Sequence, residues 1–222
     1  MAVKDNSPFE PGRFYHLFNR GNNRERIFFS EENRRYFLLK FDQYLSGTLE
    51  VFAYCLLSNH FHFLVRVKEG EEGLGDLPGF ENLEGLKAEG LKAEGQTAPS
   101  YPRPRCPISQ ALSNFLNAYA KAINKQENRS GSLFQKTCKR VLVDDEAYLV
   151  AVIYYIHNNP VHHHLTGRLQ DYRWSSYNRI LKNDAPKLRK KEVLDIFGGA
   201  EEYIAYHEQR RECVGGEDYL VE

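Results

Sequence analysis

Apolar and polar positions along this chain change period several times, and the changes predict a mixed order of strands and helices. Residues 13 to 19 are rich in aromatic and apolar side chains and predict a first strand. From Glu31 to Leu45 the apolar residues Phe37, Leu38, Phe41 and Leu45 recur at helical spacing and predict a first helix with those four turned inward. Val51 to Val67 is β-branched and aromatic, broken only by Ser58-Asn59. It predicts two central antiparallel strands, Leu49 to Leu57 and His60 to Lys68, joined at a turn. Ile108 to Gln126 predicts a second, long helix with Ala111, Leu112, Phe115, Leu116, Tyr119 and Ile123 on its buried side. Arg140 to Val143 predicts a short strand leading into a third helix. There Asp144 or Asp145 can cap the N-terminus, Glu146 suits the positive end of the dipole, and Leu149, Val152, Ile153 and Ile156 form an apolar stripe. Pro160 should end that helix or force its last residues out of it. Strand-helix-strand-strand-helix-strand order implies an α+β fold, an antiparallel sheet with helices packed on one face. Residues 1 to 180 read as one domain. Lys190 to Phe197 and Glu201 to Arg211 read as helices of a C-terminal appendage, 181 to 222.

One stretch breaks this order. Leu86-Lys-Ala-Glu-Gly90 repeats at once as Leu91-Lys-Ala-Glu-Gly95, and Pro99, Pro102, Pro104 and Pro107 follow. Pentamers with glycine at every fifth place cannot hold a packed core, so Glu69 to Arg105 reads as a flexible acidic insertion with no function of its own. The insertion also changes the meaning of the charge. The chain has net charge +0, but without residues 69 to 99 it keeps 28 basic and 22 acidic residues. The remainder is mildly basic, with clusters at Arg20/Arg24/Arg26, Lys136/Lys139/Arg140 and Arg189/Lys190/Lys191. That balance permits contacts with phosphates but does not demand them. Cys55, Cys106, Cys138 and Cys213 stand far apart with no C-x-x-C pair, which suggests reduced thiols in the cytoplasm rather than a disulfide frame or a structural zinc. With no signal-peptide pattern and no apolar run near the roughly 20 residues a bilayer requires, a membrane partner is not expected.

The candidate chemistry lies in two places about a hundred residues apart. His60-Phe61-His62 sits inside a strand, so both imidazoles project from one face, roughly 6.6 Å apart at the backbone, where they could share a divalent ion. Two hydrogen-bonded surface histidines would show the same spacing. On the third helix, Tyr155 and Asn159 are four residues apart and share a face, about 6 Å along the axis. A tyrosine hydroxyl can act as a phosphoryl-transfer nucleophile, and an amide oxygen is a neutral metal ligand. A tyrosine at the edge of a helix core would look the same in isolation.

Together these segments resemble the HUH-type single-tyrosine transposases, in particular the REP-associated tyrosine transposases. The matching blocks are Tyr15-His-Leu-Phe-Asn-Arg-Gly-Asn-Asn23, Tyr54-Cys-Leu-Leu-Ser-Asn-His-Phe-His-Phe-Leu-Val65, Gly131-Ser-Leu-Phe-Gln-Lys136, Tyr155-Ile-His-Asn-Asn-Pro-Val161 and Tyr172-Arg-Trp-Ser-Ser-Tyr177. They occur in the family's order over residues 13 to 180. The resemblance implies a ferredoxin-like or RRM-like HUH palm, with Tyr155 as nucleophile and Tyr154 as runner-up. It also implies that His60, His62 and Asn159 are metal ligands. An N/O donor set of this kind suits Mn²⁺, or Mg²⁺ with water and phosphate completing the octahedron. The implied substrate is single-stranded or hairpin (palindromic) DNA, cut and rejoined through a 5′-phosphotyrosine by a monomer or homodimer.

Other residues have weaker readings. Arg20 could meet a phosphate or simply follow the strand into a turn at Gly21, and Lys136, Lys139 and Arg140 are further candidate DNA contacts. Trp174 could stack on an unpaired base or pack the appendage against the core. His162-His163-His164 stands where the family more often has a basic residue and then Ala-Gly, and it reads as exposed. Two rivals to a strand transferase remain: a DNA-binding regulator of the same fold without turnover, and a metal-dependent hydrolase in which water attacks and Tyr155 is structural.

Overall fold

The computed structural model describes residues 7–69, 107–182 and 187–213. The acidic repeat insertion therefore lies outside the described residues, apart from Glu69. Four strands, β1 (Phe14–Arg20), β2 (Leu49–Leu56), β3 (His60–Val67) and β4 (Lys139–Val143), form one sheet in the order β2-β3-β1-β4. Each neighbouring pair is antiparallel. The helices are α1 (Glu31–Leu45), α2 (Pro107–Gln126), α3 (Glu146–His162), α4 (Tyr177–Leu181), α5 (Lys190–Phe197) and α6 (Ala200–Cys213).

The pleat of β3 decides which helix goes where. Successive side chains on a strand point to opposite faces. Phe61 and Phe63 face α1 and α2: Phe63 stacks on Phe41 at 4.2 Å, and Phe37 lies 5.0 Å from Phe61 and 4.8 Å from Phe115. The alternate residues, His60 and His62, point the other way, and there α3 lies across the sheet with Tyr155 5.5 Å from the His62 ring. Helices thus cover both faces, not one as the order of elements suggests. The physical reason is that β1 and β3 carry buried side chains on both faces, so neither face could be left to solvent.

Local signals set the helix ends. Ser30 Oγ accepts from the Asn33 N–H at 3.2 Å while Asn33 Oδ1 accepts from the Ser30 N–H at 3.1 Å, a reciprocal cap on α1. Asp145 caps α3 by accepting from the Tyr148 N–H at 2.8 Å. Pro160 does not end α3, which continues to His162. So near the C-terminus a proline removes one helical hydrogen bond, and the Leu165 N–H closes the end on the Pro160 carbonyl at 2.8 Å.

α3 is buried almost all round because the C-terminal helices cover the side facing away from the sheet. Val193 of α5 and Tyr203 of α6 are both fully buried and join the main hydrophobic core. A chain of buried hydrogen bonds fastens α6 to α3 and β2. The carbonyl of Tyr203 can only accept, so His207, 2.7 Å away, carries its proton on Nδ1. His207 Nε2 then accepts from His157 Nδ1–H at 3.0 Å, and His157 Nε2 accepts from Ser176 Oγ–H at 2.8 Å. Ser176 Oγ accepts in turn from the Tyr54 N–H of β2 at 2.9 Å. Burial favours the neutral form of both histidines, and with both neutral this direction assigns every proton along the network.

Two outcomes follow. Ser176→Ala leaves a buried N–H and a buried ring nitrogen short of a partner and should cost about 1–3 kcal/mol in denaturant unfolding. Burial holds His207 down at about 4, below the ordinary 6.5. Its neighbours are His157, Tyr154, Tyr177, Tyr203, Tyr206 and Phe197, with no carboxylate among these ring contacts. A base with a lowered folded pKa contributes stability that is fully present above about 6.5 and is lost as pH falls towards 4. Unfolding free energy should therefore drop by roughly 2 kcal/mol between pH 7 and 5 on account of His207 alone. His207→Gln should flatten that part of the slope; an unchanged slope would show the titration lies elsewhere.

Candidate metal and nucleophile site

β3 brings His60 and His62 up from the sheet with ring centroids 5.2 Å apart, both at most 4% exposed. α3 brings Tyr155 and Asn159 down onto them from one helix face. Asn159 Oδ1 lies 3.3 Å from His60 Nε2, and Asn159 Nδ2 donates to the Tyr155 carbonyl at 3.3 Å, which fixes the amide with its oxygen towards the histidine. Tyr155 is half-buried, and its ring meets His62 edge-on at 5.5 Å and His16 at 5.8 Å. Tyr154 points the opposite way. It is 3% exposed and packs under α6, 5.6 Å from His207 and 6.1 Å from Tyr206. Adjacent helix residues diverge by about 100°, and here that divergence puts one tyrosine in the site and the other in the core.

The donor chemistry fits a divalent cation. His60 Nδ1–H donates to Asn59 Oδ1 at 2.7 Å, so Nε2 of the neutral ring presents a lone pair towards Asn159 Oδ1. Two acceptors facing each other at 3.3 Å become favourable when a cation lies between them. His62 Nε2 is buried and makes no hydrogen bond, which is costly for a polar atom unless something binds there. Burial first, then the neighbouring His16, His60, His163 and Arg20, hold His62 well below the ordinary histidine range, in the neutral form that ligates metals. Among the described residues no three His, Cys, Asp or Glu side chains cluster so as to hold a metal. The amide oxygen of Asn159, beside His60, is of a donor type outside that set and could serve as a third donor.

A cavity of about 210 Å³ opens beside the histidines, lined by Phe18, Arg20, His60, His62, Gln135 and Lys139 among others. Backbone bonds build its rim. The Gly21 N–H donates to the Asn59 carbonyl at 2.8 Å, and the Gln135 N–H donates to the Arg20 carbonyl at 2.9 Å, which joins the Leu133–Gln135 segment to the end of β1. Gly21 is required there by close approach: a Cβ would lie 2.0 Å from the Glu25 carbonyl oxygen.

The pleat sorts the candidate DNA contacts. Lys139 pairs with Phe18 across the β1–β4 ladder and shares the histidine face, its ammonium 5.7 Å from the Phe18 ring. Arg140 points to the other face, where it donates to the Ser7 carbonyl and, at 3.2 Å, to Ser109 of α2. Arg140 is thus a structural residue and not part of the cavity. Trp174 is only 7% exposed, with the guanidinium groups of Arg34 and Arg173 5.6 Å and 5.3 Å from its ring, so no face is left for a base. Lys136 is exposed on the segment before β4 and does not line the cavity. Of the three adjacent histidines, His162 and His164 are exposed as expected, whereas His163 is half-buried with its ring 4.9 Å from His60.

The sequence alone assigns no role to His16, yet it is 1% exposed, lies 3.0 Å from His62 through facing ring nitrogens, and is held down to about 3 by burial. A signal for it exists. On β1 it shares a face with Phe18 and Arg20, and antiparallel pairing with β3 brings that face beside His62.

No protein-family model and no curated protein matches the chain. Among solved structures it is similar to a REP-associated tyrosine transposase bound to a REP hairpin, with a TM-score of 0.54 and 14% identity over 79% of this chain and 83% of that one. At that identity the likeness is one of architecture. The chain shares its fold with a REP-associated tyrosine transposase, a protein of the group its sequence blocks resemble.

Proposed function

We propose that this protein is a metal-dependent DNA nicking and strand-transfer enzyme acting on single-stranded or hairpin DNA, with Tyr155 as nucleophile. The observation that carries the reading is the meeting of α3 with β3: Tyr155 and Asn159 come from one helix face onto the two strand histidines. The solved neighbour's hairpin DNA supports the choice of substrate. A DNA-binding regulator without turnover would have no use for this conjunction. A hydrolase using water would not need a tyrosine beside the donors.

In this reading His60, His62 and Asn159 hold Mn²⁺ or Mg²⁺, which when bound supplies Lewis-acid stabilisation of the scissile phosphate's charge. Arg20 and Lys139, on the rim of the cavity, bind and orient the phosphates on either side. The Tyr155 hydroxyl loses its proton as its oxygen attacks phosphorus in line. The bond to the 3′-oxygen breaks, and that oxygen takes up a proton to become a free 3′-hydroxyl. The product is a 5′-phosphotyrosine. The new ester remains activated, so the 3′-hydroxyl of another strand can attack it and regenerate Tyr155. Half-burial of Tyr155 between the helix and the sheet restricts water that would hydrolyse the intermediate.

Tyr155→Phe should abolish the denaturation-resistant protein-DNA adduct while leaving hairpin binding within about twofold, and Tyr154→Phe should retain the adduct. Peptide mass spectrometry of the trapped complex checks the assignment, and a nucleotide on Tyr154, or on no tyrosine, contradicts it. His60→Ala should lose cleavage at every metal concentration with its circular dichroism unchanged; normal cutting would remove the metal from the mechanism. Affinity for a single-stranded oligonucleotide should fall with salt, and removing a cation that neutralises one phosphate should make the log-log slope shallower by about 0.7. Lys139→Gln should show that decrement and Arg140→Gln should not. The reverse result would place the DNA on the other face of the sheet.

A further inference from the structure

His16 is a buried polar group beside the strand histidines with no part in the reaction as described. It projects from β1, two positions from the residue that pairs with His62 (Phe18), and stacks its ring on that of His62 at 5.1 Å with 25° between the planes. The facing atoms are His16 Nε2 and His62 Nδ1, 3.0 Å apart. Two neutral imidazoles in this arrangement share one proton, which leaves two choices. If His16 Nε2 holds it, the proton of His62 is on its own Nε2, a buried position with no acceptor. A proton there meets no acceptor among the described residues. If His62 Nδ1 holds it, His62 Nε2 presents a bare lone pair beside His60 and Asn159, and a cation relieves it.

The other histidine of the pair points to the second choice. His60 is fixed through the same atom, with its Nδ1–H donated to Asn59 Oδ1 at 2.7 Å. Each strand histidine therefore has a hydrogen-bonding partner behind it on Nδ1, an amide oxygen for His60 and a ring nitrogen for His62. Ligating histidines are commonly oriented by such partners. Here both partners are neutral, so they fix the rings without cancelling any of the cation's charge, which remains available to a phosphate.

We propose that His16 is a positioning residue for the metal: it accepts the Nδ1 proton of His62 and so holds that ring in the tautomer and orientation whose Nε2 ligates a divalent cation. This rests on the metal reading given above. Phe18 supports the same ring from the side, 5.7 Å away and 21° from parallel.

The experiment uses the full chain without DNA and Mn²⁺ alone as probe, with affinity measured by calorimetry and by the free-ion electron paramagnetic resonance signal. His16→Leu should weaken Mn²⁺ binding about 10- to 100-fold, and His16→Gln, which restores an acceptor, should recover most of that loss. Long-range ¹H–¹⁵N spectra of the metal-free wild type should show His62 protonated on Nδ1. Wild-type affinity in a folded His16→Leu protein, or a proton on His62 Nε2, overturns the proposal. If His16→Leu does not fold, the wild-type tautomer and the His16→Gln affinity decide it. A wild type that binds no Mn²⁺ overturns the metal reading itself and this inference with it. A wild type that binds, alongside an unaffected His16→Leu, overturns this inference alone.

Discussion

The site depends on one packing constraint, the placement of α3 across the sheet face that carries His16, Phe18, His60 and His62. Neither half of the site is functional chemistry alone. A pair of strand histidines offers two donors, and a helix tyrosine is one of fourteen in this chain. Their meeting is held by burial on both sides of the helix. Val152, Ile153 and Ile156 are nearly or fully inaccessible, and His157 is tied to α6 on one side and to Ser176 and the β2 backbone on the other. A helix held from two directions cannot roll without breaking buried hydrogen bonds, so the face bearing Tyr155 and Asn159 stays turned towards the sheet. The C-terminal helices are in this sense part of the site's support, although they contribute no atom to it.

The strand pleat performs the second sorting. On β3 it separates the histidines from the phenylalanines that pack against α1 and α2. On β4 it separates two adjacent basic residues, Lys139 towards the cavity and Arg140 into contacts with Ser7 and Ser109. The basic character read from composition is thus divided between a face that can meet phosphates and a face that holds the protein together. Counting charges along the sequence cannot make that division; pairing register can.

Much of the fold is legible in the sequence because the signals are periodic or local. The bounds of α1, α2, β2 and β3 follow apolar spacing and lie within a residue or two of expectation, and the convergence of Tyr155 with Asn159 follows from helical geometry. Most of the features that are not legible are long-range. That α3 takes the second face of the sheet depends on residues of β1 and β3 being buried on both sides. The persistence of α3 through Pro160 depends on how near the helix end the proline stands. Trp174 has two readings from sequence, and its place in the core beside Arg34 and Arg173 favours packing over stacking on a base. One histidine on a strand, such as His16, signifies nothing until the neighbouring strand is known.

Whether the histidines of β3 and the tyrosine face of α3 form one metal centre is tested most directly by anomalous diffraction from a crystal grown with Mn²⁺. The expected result is a peak in contact with His60, His62 and Asn159, on the side of α3 that carries Tyr155 and not Tyr154. A peak bound elsewhere, or full Mn²⁺ occupancy at a site lacking Asn159, would contradict it.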